Sequence, residues 1–398
     1  MNNKVKARIR PLGILDLLAF KNLVPNRKKI FENGANTPIE KSPHMNALAA
    51  AMHPAAQKFI ITDIKNVLGD MKQYTLKCEN PAYFRAGQYI SLKLNIDGYN
   101  ITRPYSISSS PQTSLSGIYE IAVKKAGFAS EYILDNWKIG DNVVASGPQG
   151  TFYYESIRDT ETVIGIAGGC GITPFLSMAR SIADGIENFN LILLYGSKNT
   201  KEIAFFDELN DIEKSSNGNI KIVHVLSEEK AKEYEHGFIA SELIKKYAGS
   251  KKCSIFMCGP QVMYQFVNKE IEKLGFELKY IRQELFGQIN DASELKDFPQ
   301  GALGKKVNMT IHIGTQTYTH KIMTNETILV GIEKSKLSAP SMCRTGECGY
   351  CRSKLISGEV FIPKDTDGRR AADKKYGYIH PCSTFALTDI EIDVPRAK

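Results

Sequence analysis

Four cysteines near the C-terminus, Cys343, Cys348, Cys351 and Cys382, are spaced C-x4-C-x2-C with the fourth after a gap of thirty residues. Thiolates are soft, anionic ligands suited to iron, and this spacing is one that holds a two-iron, two-sulfide cluster. The first three lie on the run Cys343-Arg-Thr-Gly-Glu-Cys348-Gly-Tyr-Cys351. There Gly346 and Gly349 let the backbone wrap an inorganic core and aim N–H groups at its sulfides. Two other readings stand beside this one. Structural zinc usually takes C-x2-C pairs, and a disulfide framework needs an oxidising compartment. A [2Fe–2S] cluster carries one electron at a time, so the chemistry implied is redox.

A second signal is the turn Gly165-Ile-Ala-Gly168-Gly169-Cys-Gly171-Ile-Thr173-Pro174. Gly168, Gly169 and Gly171 let backbone N–H groups come close to a pyrophosphate. Thr173 before Pro174 reads as an N-cap and first helical residue, which sets the positive end of a helix at the ligand. Three further runs flank this turn. Arg103-Pro104-Tyr105-Ser106-Ile-Ser108 and Gly147-Pro148-Gln-Gly150-Thr-Phe152 precede it, and Cys258-Gly259-Pro260-Gln-Val-Met263 follows.

The elements that must position these residues change character along the chain. From residue 55 to about 158, short alternating stretches (Lys58–Asn66, Met71–Cys78, Tyr89–Leu94, Gly117–Val123, Asn142–Ser146) are separated by turn residues, which predicts an antiparallel barrel. From 159 to 288, apolar strands at Thr162–Ala167, Leu191–Tyr195, Lys221–Leu226 and Ser254–Met257 alternate with helical patterns at Pro174–Ala183, Phe205–Glu213, Ala240–Tyr247 and Gln261–Leu274. That alternation predicts a parallel sheet covered by helices on both faces. Residues 289–305, within the polar stretch Gln288–Lys306, read as a linker, and 306–398 as a small domain around the cysteine loop. The fold class is thus a multidomain α/β and β chain.

At 398 residues, with 42% hydrophobic and 24% charged residues, the chain has the composition of a globular protein of two or three domains. The net charge of +8 is uneven: residues 1–58 carry +7 and the other 340 only +1. A nucleic-acid binder would carry its basic charge on a folded face, so that class is not favoured. Residues 1–54 form instead a basic N-terminal extension with one amphipathic candidate, Pro11–Val24, followed by Arg27-Lys28-Lys29. A strap across the body, docking of an acidic partner and peripheral membrane contact are its three readings. No apolar run approaches the roughly 20 residues needed to cross a bilayer. Cys78, Cys170, Cys253 and Cys258 are scattered and are expected as reduced, buried thiols, which points to the cytoplasm.

Taken in order, these motifs resemble the ferredoxin–NAD(P) reductase family of flavoenzymes. The C-terminal cysteine module makes the chain similar to its single-chain FAD/[2Fe–2S] members, such as oxygenase reductase components and the NADH reductase of hybrid-cluster protein. The resemblance spans residues 57–398. It implies an antiparallel FAD-binding barrel, a parallel-sheet NAD(P)-binding domain and an α+β, β-grasp-like ferredoxin domain. It assigns Arg103 to the flavin pyrophosphate, Tyr105 to the isoalloxazine face and Ser106 to the neighbourhood of its N5. Val123, Lys124, Gly127, Ala129 and Ser130 match the second flavin segment. Thr173 matches the residue between flavin and nicotinamide, and Cys258 and Glu284 the polar pair beside the nicotinamide. A positioning role suits Cys258 better than a nucleophilic one, because no histidine partner is placed for it. Gly168, Gly169, Gly171, Gly259 and Pro260 would line the nucleotide. Ser227-Glu228 stands where NADPH-preferring members carry Ser then Arg. A carboxylate there favours a ribose diol and repels a 2′-phosphate, so NADH is expected, with NADPH the alternative should Lys198 or Lys201 dominate. Phe238 would pack on adenine.

The implied function is electron flow from NADH through FAD and the cluster to an acceptor protein: an oxygenase, a hybrid-cluster protein or a corrinoid protein. An acidic docking surface on that acceptor would suit Arg344, Arg352, Arg369, Arg370, Lys374 and Lys375 around the cluster ligands, diluted by Asp365, Asp367 and Asp373. The rival reading is a non-catalytic electron-transfer or redox-sensing subunit of a larger complex.

Overall fold

The computed structural model of the chain describes residues 54–249, 252–285, 289, 291–295 and 297–397, with Pro25, Lys29, Ala49 and Met52. The amphipathic candidate Pro11–Val24 and the pair Arg27-Lys28 lie outside the described residues.

Three sheets follow one another. The first contains β1 (Gln57–Leu68), β2 (Met71–Lys77), β3 (Tyr89–Ile96), β4 (Tyr99–Ser106), β5 (Ile118–Lys124) and β6 (Asn142–Ala145), in spatial order β4-β3-β6-β1-β2-β5. Every pairing in it is antiparallel. Alternation along β1 turns Phe59 and Ile61 into the same core as Ile90, Leu92, Tyr119 and Ile121. Just past β4 the two outer strands meet: Ile107 bridges Ile121, and the Ser108 N–H donates to the Glu120 carbonyl at 2.7 Å. This closes the sheet into the expected barrel and covers its edges. Helices α1 (Pro111–Ser114) and α2 (Phe128–Asn136) flank β5. Strand patterning did not predict β4. It carries Pro104, which lacks a ladder donor and is tolerated because β4 is the outermost strand of the order.

The second sheet is wholly parallel, in order β10-β9-β8-β7-β11-β12. Its strands are β7 (Thr162–Gly168), β8 (Asn190–Ser197), β9 (Ile220–Leu226), β10 (Glu235–His236), β11 (Ser254–Gly259) and β12 (Ile281–Leu285). The central pair, β7 and β11, is buried at every residue. Helices α3 (Ile172–Ala183), α4 (Phe206–Ser215), α5 (Ser241–Ala248) and α6 (Gln261–Lys273) complete the layers. One core gathers Phe175, Leu191, Leu193 and Phe256; the other gathers Ile164, Ile166, Val225, Ile244 and Val267. The chain runs outward through β8 and β9, then crosses to β11. The strand order therefore reverses between β7 and β11, where a parallel sheet opens a crevice at its carboxyl ends.

The third sheet mixes directions, in order β14-β13-β19-β15-β17, with β13 and β19 parallel. It is formed by β13 (Lys306–Ile313), β14 (Gln316–Met323), β15 (Ser353–Ser357), β17 (Tyr378–Ile379) and β19 (Ile390–Asp393). Helix α7 (Ile328–Lys334) presses Ile328 and Ile332 onto Met309, Ile311 and Ile392. Helix α8 (Ala371–Lys375) and the ribbon of β16 (Val360–Phe361) with β18 (Phe385–Ala386) complete this α+β unit. The stretch that reads as a linker is not simply a solvated tether. Ile289, Ala292 and Phe298 are buried with Phe385, and the Phe298 ring stands 5.2 Å from Phe361 and 6.0 Å from Phe385. Its Gly and Pro residues suggest a loop, while its few apolar residues seal it to the ribbon.

Candidate functional site

The β3–β4 hairpin fixes the first group of residues by register. Arg103 lies opposite Leu92, and Ser106 opposite Tyr89. Arg103 Nη1 donates to the Thr102 carbonyl at 2.8 Å. Burial, and then the nearby Arg344 guanidinium, push its pKa down to about 10. A half-buried guanidinium at the end of this hairpin suits an anion such as phosphate. Tyr105 packs at the margin of the barrel core. In the second segment Val123 is fully buried in that core, so any contact it makes with a cofactor is through its backbone. Lys124 pairs with Asp70 at 3.6 Å. Gly127 is the N-cap of α2, and no side chain satisfies the first N–H groups of that helix. No atom stands within 4 Å of where a Cβ on Gly127 would be. Ala129 and Ser130 are buried in the first turn. An uncapped helix start facing open space, close in sequence to a lysine, fits a phosphate group.

At the carboxyl end of β7 the chain passes through a 3-10 turn, Gly169–Gly171, straight into α3. The helix therefore begins at Ile172, and Thr173 is not its N-cap. Thr173 lies in the first turn, and its Oγ1 donates to the Cys170 carbonyl at 3.1 Å. A Cβ on Gly171 would stand 2.1 Å from the Cys258 carbonyl oxygen, so only glycine lets this turn lie against β11. Gly168 packs in the same way on Met263 and Pro260. Cys258 and Glu284 are register partners on β11 and β12. Burial, reinforced by Glu284, raises the Cys258 thiol well above its ordinary range. That leaves a neutral thiol and removes the thiolate a nucleophile would need. Burial, and then Glu347, likewise raise the Glu284 carboxyl. Ser106 Oγ lies 3.4 Å from Glu284 Oε2. The end of the barrel hairpin and the carboxyl end of the parallel sheet therefore meet at one point.

Sequence reasoning missed three residues there. The Tyr264 phenol donates to the Glu284 carbonyl and accepts from the Gly259 N–H at 3.3 Å, tying β12 to the turn after β11. Tyr89, buried opposite Ser106, has its phenol raised by burial and then by Cys343, Cys348, Glu284 and Glu347. Phe266 lies 5.7 Å from the exposed Phe238 ring. None of the three belongs to a motif with its own spacing. At the tip of β9 the Ser227 N–H donates to the Ser197 carbonyl at 3.0 Å and the Glu228 N–H to the Lys198 carbonyl at 2.9 Å. The exposed Glu228 and Lys198 thus share one corner, with Lys201 in the next turn.

The cysteine loop has the local chemistry of a thiolate site. N–H groups of Thr345 and Cys348 donate to Cys343 Sγ at 3.5 and 3.4 Å, and that of Tyr350 to Cys348 Sγ at 3.4 Å. Cys351 and Cys382 sulfurs lie 3.4 Å apart. Gly346 has φ +88°, and a Cβ there would meet the Thr366 carbonyl at 2.3 Å. Among the described residues no three His, Cys, Asp or Glu side chains are gathered as the cage of a single ion. Four thiols on one loop and its neighbour, with N–H groups directed at the Cys343 and Cys348 sulfurs, fit the donor set of a two-iron group.

The basic surface is smaller than the sequence suggests. Arg344 is buried and pairs bidentately with Glu333 at 2.5 and 2.8 Å. Arg369 and Lys374 pair with Asp367 at 2.8 and 3.1 Å, and Arg352 with Asp373 at 3.1 Å. Of the other cysteines, Cys78, Cys253 and Cys258 are buried as expected, but Cys170 is exposed at the glycine turn.

Comparison with known proteins follows the same three-part layout. Residues 58–154 match an oxidoreductase FAD-binding domain, 166–269 an oxidoreductase NAD-binding domain, and 311–387 a 2Fe-2S iron-sulfur cluster binding domain. The glycine betaine monooxygenase reductase subunit of Chromohalobacter salexigens is 26% identical over 81% of this chain and 91% of its own length. NADH oxidoreductase HCR of Escherichia coli is 23% identical over 81% and 92%. Among solved structures, phthalate dioxygenase reductase, described as a modular structure for electron transfer from pyridine nucleotides to [2Fe-2S], superposes with a TM-score of 0.60. It is 25% identical and covers 86% of this chain and 98% of its own.

Proposed function

We propose that this chain, which belongs to the ferredoxin–NAD(P) reductase family as a single-chain FAD/[2Fe–2S] reductase, is the NADH-oxidising component of an oxygenase system. The observation that carries the reading is the approach of Ser106 to Glu284 at 3.4 Å, which joins the end of the barrel hairpin to the end of the parallel sheet. Bound in this frame, FAD accepts a hydride and gives up electrons singly, and a [2Fe–2S] cluster carries them one at a time. Arg103 and the start of α2 would hold the flavin phosphates, Tyr105 its ring and Ser106 a polar edge. Gly168, Gly169, Gly171, Gly259 and Pro260 would line the dinucleotide, and Phe238 with Phe266 would offer a surface for adenine. Thr173, Cys258 and Glu284 would orient the nicotinamide and keep water from it, while Ser227 and Glu228 favour the ribose diol of NADH. Cys343, Cys348, Cys351 and Cys382 would ligate iron.

An oxygenase is preferred to a hybrid-cluster or corrinoid acceptor, because the glycine betaine and phthalate relatives are reductase components of oxygenases. A cytoplasmic site of action is supported by Cys78, Cys170, Cys253 and Cys258, which stand as free thiols outside the cluster ligands. No helix among the described residues is long and apolar enough to cross a membrane. The deciding experiment isolates proteins retained by the holoenzyme from native extract and adds each to the NADH-reduced chain. Reoxidation of the cluster by an oxygenase component, with coupled substrate hydroxylation, supports the reading. Reoxidation only by a hybrid-cluster or corrinoid protein replaces the acceptor. A lone chain that fails to oxidise NADH with any dye would favour the rival reading of a non-catalytic subunit.

A further inference from the structure

Strand pairing places Ser91 opposite Pro104 and Lys93 opposite Thr102. Side chains alternate across a sheet, so Ser91 and Thr102 share one face of the β3–β4 hairpin while Arg103 and Tyr105 lie on the other. Residues 338–342 run along the first face and lead directly into Cys343. Ser91 Oγ donates to the Met342 carbonyl at 3.1 Å. Thr102 Oγ1 and Ser341 Oγ are 2.7 Å apart, and Asn100 Nδ2 donates to Ser338 Oγ at 3.4 Å. A cleft of about 390 Å³ opens beside these bonds, bordered by Lys93, Thr102, Ala339, Pro340 and Tyr350. Close apolar packing therefore does not fill this side of the seam, and directional hydrogen bonds fix the register of the cysteine loop on the hairpin.

We propose that Ser91 and Thr102 are positioning residues for the internal electron step, holding the entry of the cluster loop at a set place on the flavin-bearing hairpin. The proposal rests on the reading of Arg103–Ser106 as the flavin segment. One strand, β4, then presents flavin contacts on one face and anchors the cluster loop on the other. Displacing the loop lengthens the path between donor and acceptor without touching the nicotinamide crevice.

The test uses the full chain loaded with both groups, comparing the wild type with Thr102→Val, Thr102→Ser, Ser91→Ala and Ser341→Ala. Hydrogen exchange of residues 338–342 should quicken about five- to tenfold in Thr102→Val, as expected for one lost hydrogen bond of ~1 kcal/mol. Ser341→Ala, which removes the same bond from the other side, should match it. In stopped flow, bleaching of the flavin by NADH should be unchanged. Cluster reduction should slow on the order of tenfold or more, given how steeply rates fall with misplacement near 1 Å. Thr102→Ser should restore both. Unchanged exchange and unchanged cluster reduction in Thr102→Val and Ser91→Ala would overturn the proposal, as would a slowed step that Thr102→Ser fails to rescue. Failure of the flavin reading would show separately, as an unaltered flavin affinity in Arg103→Ala.

Discussion

Cys258 and Glu284 occupy the same register on neighbouring parallel strands, so a buried thiol and a buried carboxyl face one crevice from adjacent strand ends. Burial raises the pKa of both, which favours their neutral forms. A carboxyl whose folded pKa lies above its unfolded value keeps a proton that the unfolded chain has already released. Its contribution to stability is therefore lost as pH rises from about 4.5 towards the folded pKa. Between about pH 5 and 8 the melting temperature of the ligand-free wild type should fall more than that of Glu284→Gln. NADH–ferricyanide turnover of Glu284→Gln should stay well short of the roughly 10²–10⁴-fold loss that removing a general acid or base causes. Parallel melting curves for the two proteins would count against a protonated Glu284.

Cys348→Ser should abolish the visible absorbance of the cluster and the reduction of one-electron protein acceptors such as cytochrome c. NADH-driven ferricyanide reduction should largely survive, because the barrel and the parallel sheet are untouched. Loss of both activities with flavin still bound would break the linear order of electron flow.

Glu228→Arg should shift kcat/KM from NADH towards NADPH. The carboxylate repels a 2′-phosphate, and a guanidinium can bind it with two parallel hydrogen bonds. The Glu228 backbone bond to the Lys198 carbonyl puts both side chains at one corner. An unchanged ratio in Glu228→Arg, together with a changed one in Lys198→Ala, would assign the choice to the lysine.

Arg344, Arg352, Arg369 and Lys374 are tied to carboxylates, so a surface that steers an acidic acceptor here would depend on Arg370 and Lys375. Arg370→Glu with Lys375→Glu should slow transfer to the physiological acceptor at low salt, an effect that fades as the Debye length drops below about 10 Å. Turnover with a neutral quinone dye should not change. A partner rate indifferent to charge reversal and to salt would remove this surface from the docking path.

The motifs and periodic segments were legible in the sequence because each is local. The cysteine spacing, the glycine turn and the apolar runs of β7 and β11 need no distant partner to be recognised. What stayed hidden depends on contacts between remote segments. Arg344 looks like a surface charge beside a cluster ligand, and only the helix bearing Glu333 reveals its burial. Tyr89, Tyr264 and Phe266 sit in ordinary strand and helix positions and gain their place from what folds against them. Thr173 followed by Pro174 has the chemistry of a helix start, yet the three preceding glycine-turn residues wind a 3-10 turn first and take that role.

The ring cluster of Phe298, Phe361 and Phe385 bears on how such a module could be moved between hosts. A boundary drawn at Lys306, where the first strand of the third sheet begins, would cut Phe298 away and leave Phe385 open to water. Such a fragment would carry a sticky apolar scar beside the strand ribbon. The portable cassette therefore starts upstream of Ile289, and the segment that looks like string between two enzymes travels as part of the cargo.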